Sequence, residues 1–472
     1  MLELKEPLHT LIREPQTLTG KKRFPAKITL YDETLRDGEQ MPGVAFTPAQ
    51  KLQLARVLAD MGIGSLMAAF PASGPAECLA YKTILGAYKR GELRPELQIM
   101  ALARAETADI DVVARLADEA GVHRDRLGVL ILSTTSDLHL KYKLGPRLLR
   151  HHGVAASEWL DRPVSWYRRA NLDLIVDHIE LARRHGFGTI EFAGEDASRG
   201  SKEYLLEWAA ACRAAGGNRL CFSDTCGVLT PEGVDHYFAD LATALPNLDI
   251  TVHFHNDFGL AAANTVRALS HGANTASVTA CGIGERAGNA SLHQVTMALR
   301  DLYGYRLDGF DYARLTELRQ LVETLSGIII QAHEPIVGHN AFAHESGMHT
   351  AAMETHPSIY QAIDQHAVGG KHRLVYGKHS GRSGVITLAR RHFNARLAGK
   401  PLSLERIADT ALARIKELRE GMAESAAYAE FVARYYTHLE DLSVGEDLVL
   451  AEIEAAIRRE EARVYFMGAT AS

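Results

Sequence analysis

The chain has 472 residues, 46% hydrophobic and 23% charged, which is too long for one small core and typical of a soluble globular protein. Its formal net charge of -6 speaks against a nucleic-acid or membrane-surface binder and suits a metabolic enzyme. Five cysteines without zinc-like spacing, a start without a signal-peptide core and no apolar run near the roughly 20 residues of a membrane span together predict a reduced, cytoplasmic protein.

Residues 1–25 are polar and proline-punctuated and are expected to form an arm. Residues 27–31 then read as a strand and 47–61 as a helix, with Thr47 as N-cap and Pro48 at the first helical position, where its missing N–H is no loss. Further strands are predicted at 63–69, 98–103, 127–132, 189–193, 219–223, 249–254 and 275–279, with amphipathic helical stretches such as 172–185 and 201–215 between them. Eight strand-plus-helix units within residues 26–303 predict an α/β fold, a closed (β/α)8 TIM barrel. A doubly wound sheet is the alternative, but no GxGxxG stands at the first strand–helix turn. Residues 141–169 make the connection from strand four to strand five overlong, as a lid or substrate loop would. Residues 304–384 are expected to form a linker and small subdomain, and 385–472 a helical C-terminal subdomain with apolar residues at three- and four-residue spacing. The aromatic stretch at 427–441 suits a dimer interface.

In a barrel the chemistry sits at the C-terminal ends of the strands. In Thr251-Val252-His253-Phe254-His255-Asn256-Asp257, alternation puts both imidazoles on one face of a strand. Two histidines at i, i+2 can hold a divalent ion if a third ligand arrives. Alone, such a pair is more often a solvated strand end. Here strand one ends in Asp32-Glu33-Thr34-Leu35-Arg36-Asp37-Gly38-Glu39-Gln40, strand five in Glu195-Asp196, strand six in Asp224-Thr225-Cys226-Gly227, and strand eight is followed by Gly282-Ile283-Gly284-Glu285-Arg286-Ala287-Gly288-Asn289. Any one charged strand end is ordinary, but several converging on one mouth are not. Asp37 is the natural oxygen ligand to join His253 and His255, with Asn289 a weaker ligand or the holder of a bound water. Glu285 and Arg286 read as an ion pair fixing their loop. His139, His151, His152, His271, His293 and His372 show no partner pattern.

TLRDGEQ, HFHND and GIGERAGN, followed by NAFAHESGMH and GKHSGR, resemble five ordered motifs of the metal-dependent barrel synthases that condense acetyl-CoA with a 2-oxo acid, a family that includes 2-isopropylmalate, homocitrate, citramalate and Re-type citrate synthases. The resemblance covers roughly residues 26–384. It implies a divalent metal (Mn2+, Mg2+, Co2+ or Zn2+) on Asp37, His253 and His255, with Asn289 close by, chelating the keto acid. It further implies that Arg36 stabilises developing negative charge, that Thr225 binds the substrate carboxylate, and that Glu195 and His349, assisted by Tyr360, provide acid–base chemistry on the acetyl methyl group. Gly282, Gly284, Glu285 and Gly288 would offer the CoA thioester arm its loop. Gln40 and Arg104 are further candidates for substrate binding. The His349 subdomain would reach the barrel of the partner subunit in a homodimer.

The acceptor is less sharply marked. EDASR and AFAHESG lean toward homocitrate synthases, whereas FPAS and KYKL lean toward isopropylmalate synthases. Glu191 stands where the lysine-pathway homocitrate synthases carry arginine, and 65–69 (SLMAA) lacks an acidic residue usual in the family. A dicarboxylic or phosphonate-bearing acceptor is expected first, with Arg104, Lys141, Lys143 or an insertion arginine as its cation, and a branched-chain acceptor second. About ninety residues follow GKHSGR and read as helices, so no leucine-binding regulatory domain is expected. A lyase of the hydroxymethylglutaryl-CoA type is a third possibility, weakened because GIGERAGN lacks the catalytic cysteine that those enzymes place there.

Overall fold

The computed structural model describes residues 24–346, 349, 352–353, 356–398, 403–423 and 427–469, so the expected arm lies almost wholly outside the described residues. Eight parallel strands, β1 (Thr29–Asp32), β2 (Ser65–Ala69), β3 (Gln98–Arg104), β4 (Leu127–Thr134), β5 (Thr189–Glu195), β6 (Arg219–Asp224), β7 (Asp249–Phe254) and β8 (Thr275–Val278), pair in chain order and close where β8 meets β1. The doubly wound alternative is thereby excluded.

Two-residue periodicity sorts each strand between a helical coat and a barrel interior. On β7, Phe254 faces outward against Phe222 and Phe238, with ring centroids 6.2 and 6.4 Å away. On β5, Phe192 meets the fully buried Trp208 edge-on at 5.4 Å, a geometry adding about 0.5–1.5 kcal/mol beyond area burial. The inward positions Tyr31, Met67, Met100, Leu130 and Cys221 form a separate apolar cluster within the barrel. Met67 there accounts for the missing acidic residue in β2: an apolar side chain fills that level.

Below this level lies a buried ion pair. Arg219 on β6 donates to Glu191 on β5 at 3.1 Å and to Gln98 Oε1 at 2.9 Å, with its guanidinium 5.0 Å over the Tyr31 ring. Thr251 Oγ1 donates to the other Glu191 oxygen at 2.6 Å. Glu191 is therefore an internal strut of the barrel.

The predicted start of the first helix holds in detail. The helix Pro48–Met61 begins with Pro48, and Thr47 and Gln50 cap each other reciprocally. The expected loop at 141–169 is corrected: it folds as helices Asp137–Tyr142 and Gly145–His151 and the first turns of Val164–His185, which begins well before the expected residue 172. Long-range ties hold this insertion in place. Arg168 grips Asp137 in a two-pronged pair at 2.6 and 2.7 Å, and Trp159 Nε1 donates to the Lys141 carbonyl at 2.6 Å. A side chain at Gly145 would meet that indole at 2.4 Å, so only glycine fits.

Packing is continuous past residue 303, since Leu315, Leu318 and Val322 of helix Leu315–Ser326, and then Phe342 and Val368, join the main core. The chain ends in helices Arg382–Leu397, Leu404–Ala423, Ala427–Asp441 and Glu446–Ala469. Among the described residues no helix is long and apolar enough to cross a membrane.

Candidate active site

The β1 end builds the first wall. Buried Asp32 accepts from Thr34 N and Oγ1 at 2.9 and 3.0 Å, and Thr34 Oγ1 accepts from Ala280 N at 2.7 Å, stitching the β1 and β8 loops together. Burial lifts the Asp32 pKa to about 7. Buried Lys51 ion-pairs with Glu39 at 2.6 Å, and Glu39 also accepts from Phe46 N at 2.6 Å, which holds the rest of the loop down. Arg36 and Asp37 are fixed by these ties.

The ligating atoms of Asp37, His253 and His255 lie within 4.8 Å of one another, and all three residues are buried. Asp37 Oδ2 is 3.1 Å from His253 Nε2 and 3.9 Å from His255 Nε2, and the two ring nitrogens are 3.3 Å apart. Behind the triad, Glu33 Oε1 accepts from His253 Nδ1 at 3.0 Å and from Ser277 Oγ at 2.7 Å. This bond puts a proton on Nδ1 and turns Nε2 toward Asp37, the orientation a carboxylate imposes on a metal-binding imidazole. Buried Asp37 Oδ1 has no hydrogen-bond partner among the described residues, nor does Asn289 Oδ1 beside it, while Asn289 Nδ2 donates to Asp37 Oδ2 at 3.0 Å. Two imidazoles, a carboxylate and orphaned oxygens fit a divalent ion.

Electrostatics keep Asp37 and His253 charged and His255 neutral. Burial would raise the Asp37 carboxyl, but Arg36 and both imidazoles hold it far below its usual range. Burial would likewise lower His253, but Glu33 and Asp37 raise it to about 10, whereas burial and the neighbouring His253 bring His255 down to about 4. Arg36 pairs with Glu33 and lies 3.6 Å from Asp37, with its buried Nε free of any acceptor among the described residues.

The triad opens into a cavity of about 350 Å³ at the barrel mouth. Of the residues expected there, Arg36, Asp37, Gln40, Arg104, Glu195, Thr225, His253, His255 and Glu285 all line it. One side is apolar, formed by Phe70, Leu102, Leu130 and Leu132. Arg104 is held in a two-pronged pair with Asp109 at 2.8 and 2.9 Å. Lys143, from the insertion, reaches both oxygens of Glu195 at 2.6 Å. Burial opposes it, but His139 and Lys143 keep the Glu195 carboxyl below its usual range. Thr225 Oγ1 accepts from Asp196 N at 2.8 Å.

The expected Glu285–Arg286 pair is corrected: Arg286 grips Asp257 at 2.8 and 2.9 Å and donates to the Thr225 carbonyl at 2.6 Å, tying three strand ends together. The glycines of this loop have a local reason. A Cβ on Gly284 would meet Asn289 Oδ1 at 1.9 Å, and one on Gly288, at φ +89°, would meet the Gly282 carbonyl at 1.9 Å. The loop folds tightly on itself and carries Asn289 to Asp37.

His349 and Tyr360 stack on each other with ring centroids 4.0 Å apart, but neither lines this cavity, whose described lining ends in sequence at Arg286. Cys281 is no ready nucleophile, because burial, with Glu323 and Glu334 near, pushes its thiol far up. Glu33 and Ser277 escaped the sequence reading. The two-residue step from Tyr31 to Glu33, continuing the inward face of β1, was the available signal.

A model described as HMGL-like matches residues 27–322, and one described as homocitrate synthase post-HMGL domain-like matches 336–420. A probable 2-isopropylmalate synthase of Ignicoccus hospitalis is 41% identical over 364 residues, 77% of this chain and 82% of that one. Homocitrate synthase AksA of Methanopyrus kandleri is 38% identical over 363 residues, again 77% and 82% of the two chains. Among solved structures, the HMG-CoA lyase of Bacillus subtilis superposes with a TM-score of 0.51 at 18% identity, covering 65% of this chain and 96% of the lyase, a likeness of fold alone.

Proposed function

Because the chain belongs to the HMGL-like family, on the branch with relatives named 2-isopropylmalate and homocitrate synthases, it is an acetyl-CoA-condensing acyltransferase, and we propose that its acceptor is a 2-oxo acid with a dicarboxylic or phosphonate-bearing side chain. The observation that carries the reading is the buried Asp37–His253–His255 triad opening onto Arg36 and Glu195 in one cavity.

A thioester methyl group is far too weak an acid to lose a proton to water at neutral pH, so a held base and a stabilised enolate are both required. Glu195, ionised on the cavity wall, takes the proton, and its Oε forms the new O–H bond. Arg36, with its Nε unengaged, meets the negative charge that develops on oxygen. A divalent ion on Asp37, His253 and His255 would supply Lewis acidity toward the acceptor's keto oxygen. The enolate carbon then attacks the keto carbon, and hydrolysis of the thioester releases CoA and a 2-hydroxy acid. Thr225 and Gln40 orient the acceptor carboxylate, and Glu285 with Gly282, Gly284 and Gly288 borders the CoA arm. His349 and Tyr360 complete the cavity of a second copy in a homodimer, in keeping with their absence from the described lining of the cavity in their own chain.

The acceptor's methylenes lie along Leu102, Leu130 and Leu132, and its distal anion meets Lys143 or Arg104. The same apolar side favours a second reading, a branched alkyl acceptor. Thiol release from acetyl-CoA with Mn2+ and a panel of 2-oxoglutarate, oxaloacetate, phosphonopyruvate, pyruvate and 3-methyl-2-oxobutanoate separates the two. Fastest release with a diacid or phosphonate is expected, fastest release with 3-methyl-2-oxobutanoate would establish the second reading, and no release with any acceptor would refute both.

Metal uptake should depend on pH. In the metal-free protein the proton between His253 Nε2 and Asp37 is held up to about pH 10 and must leave when an ion binds, whereas His255, at about 4, is already neutral at pH 7. Apparent affinity should therefore rise about tenfold per pH unit between roughly pH 6 and 8. Competition against a chromophoric chelator measures this, and a flat profile would contradict the assigned protonation.

A further inference from the structure

Among the described residues, four arginine and lysine side chains line the cavity, and three are locked in place. Arg36 is held by Glu33 and Asp37 of its own loop. Arg104 forms its two-pronged pair with Asp109, which is buried. Arg286 forms another with Asp257 and also caps the Thr225 carbonyl. Lys143 differs in its chemistry and in its partner. It is a flexible ammonium, its side chain is 51% exposed, and its partner is Glu195, the carboxylate that must be free to accept a proton. With Nζ at 2.6 Å from both oxygens, the ammonium engages the whole carboxylate of Glu195 at the cavity wall, which both residues line. A base clamped in this way is ionised but blocked.

Resting on the dicarboxylate reading above, we propose that Lys143 is an exchange cation: it clamps Glu195 while the acceptor is absent and passes to the acceptor's distal anionic group when the acceptor binds, unblocking Glu195. The swap moves the ammonium from one carboxylate to another inside the same cavity and leaves Glu195 ionised, with His139 3.8 Å away as its remaining neighbour. Glu195 then accepts the proton from the acetyl methyl carbon: the C–H bond breaks, its electron pair moves into the enolate, and an O–H bond forms on the carboxyl. An alkyl acceptor carries no such group and leaves the clamp shut. Specificity thus comes from the base as well as from the fit of the side chain.

The other charged groups facing Glu195 do not duplicate this role. His139, also from the insertion, is 3.8 Å from Glu195 and 3.6 Å from Asp196. It makes no hydrogen bond through its buried Nδ1, so it can approach Glu195 once the ammonium leaves. Asp196 is paired with Arg199 at 2.7 Å and is not among the residues that line the cavity. His139 and Lys143 hold Glu195 ionised against the opposing effect of burial.

The test compares wild type, Lys143→Met and Lys143→Arg with 2-oxoglutarate and with 3-methyl-2-oxobutanoate, measuring kcat/KM from pH 4.5 to 9. In Lys143→Met the ratio of dicarboxylate to alkyl kcat/KM should fall about tenfold or more. The acid limb should move up by about one pH unit, because Glu195 has lost its cation. Lys143→Arg should restore part of the ratio. Both changes are required, and a fixed ratio or a fixed limb in Lys143→Met overturns the proposal. A wild type that releases CoA only with alkyl acceptors refutes the dicarboxylate reading and the proposal with it, whereas a wild type active on diacids beside an unaltered Lys143→Met refutes the proposal alone.

Discussion

Asp37→Asn is expected to cut metal-supported CoA release by about 1000-fold, the equivalent of roughly 4 kcal/mol of lost charge stabilisation at the reacting carbonyl. Asparagine keeps the shape but removes the charge that faces His253 Nε2 at 3.1 Å and His255 Nε2 at 3.9 Å. The new amide can keep its oxygen as acceptor for Asn289 Nδ2, which donates to Asp37 Oδ2 at 3.0 Å, so the loss reports on charge rather than on that hydrogen bond. The same change leaves the Arg36 guanidinium with Glu33 as its remaining ion-pair partner. Bound metal counted by mass spectrometry should fall together with turnover. Thermal unfolding run in parallel separates a lost site from a lost fold. Retention of more than a tenth of the activity at saturating metal would count against Asp37 as a ligand.

Arg219→Met should destabilise the fold by about 3–5 kcal/mol, the cost of leaving one member of a buried ion pair alone. Glu191 would remain in the barrel interior with Thr251 Oγ1 as its donor, and Gln98 and the Tyr31 ring would lose their cation as well. The companion variant Glu191→Gln combined with Arg219→Met should recover part of the loss, since burying two uncharged groups costs less than burying one unpaired charge. Denaturant midpoints of the two proteins measure the difference. If Arg219→Met alone moved stability by less than about 0.5 kcal/mol, the ion pair would not be a strut.

The barrel was legible because its signal is local. The alternation in residues 249–254, the proline after Thr47 and the spacing of strand-like runs all act within a few residues, and those elements fall where they were expected. Asp37, His253 and His255 were legible for a similar reason: parallel strand ends converge at one mouth whatever the details of packing. Partnerships across the barrel were not legible. That Glu191 answers Arg219 depends on the register of β5 against β6, and that Arg286 takes Asp257 rather than its neighbour Glu285 depends on a loop turning back over β7. The insertion at 141–169 looked like a loop because its helices are short and broken by Gly145 and Pro163, while the ties that hold it, from Arg168 to Asp137 and from Trp159 to Lys141, span eighteen to thirty-one positions. Lys143 could be named as a cation from its type, but its place on Glu195 requires the fold.

The most direct measurement is thiol release from acetyl-CoA and the best acceptor by protein stripped of metal with a chelator, before and after Mn2+ is added back, with Asp37→Asn alongside. The account predicts that stripped wild type releases almost no CoA, that the added ion restores release, and that Asp37→Asn stays inactive in both states. Undiminished release by stripped wild type, matched by Asp37→Asn, would contradict it.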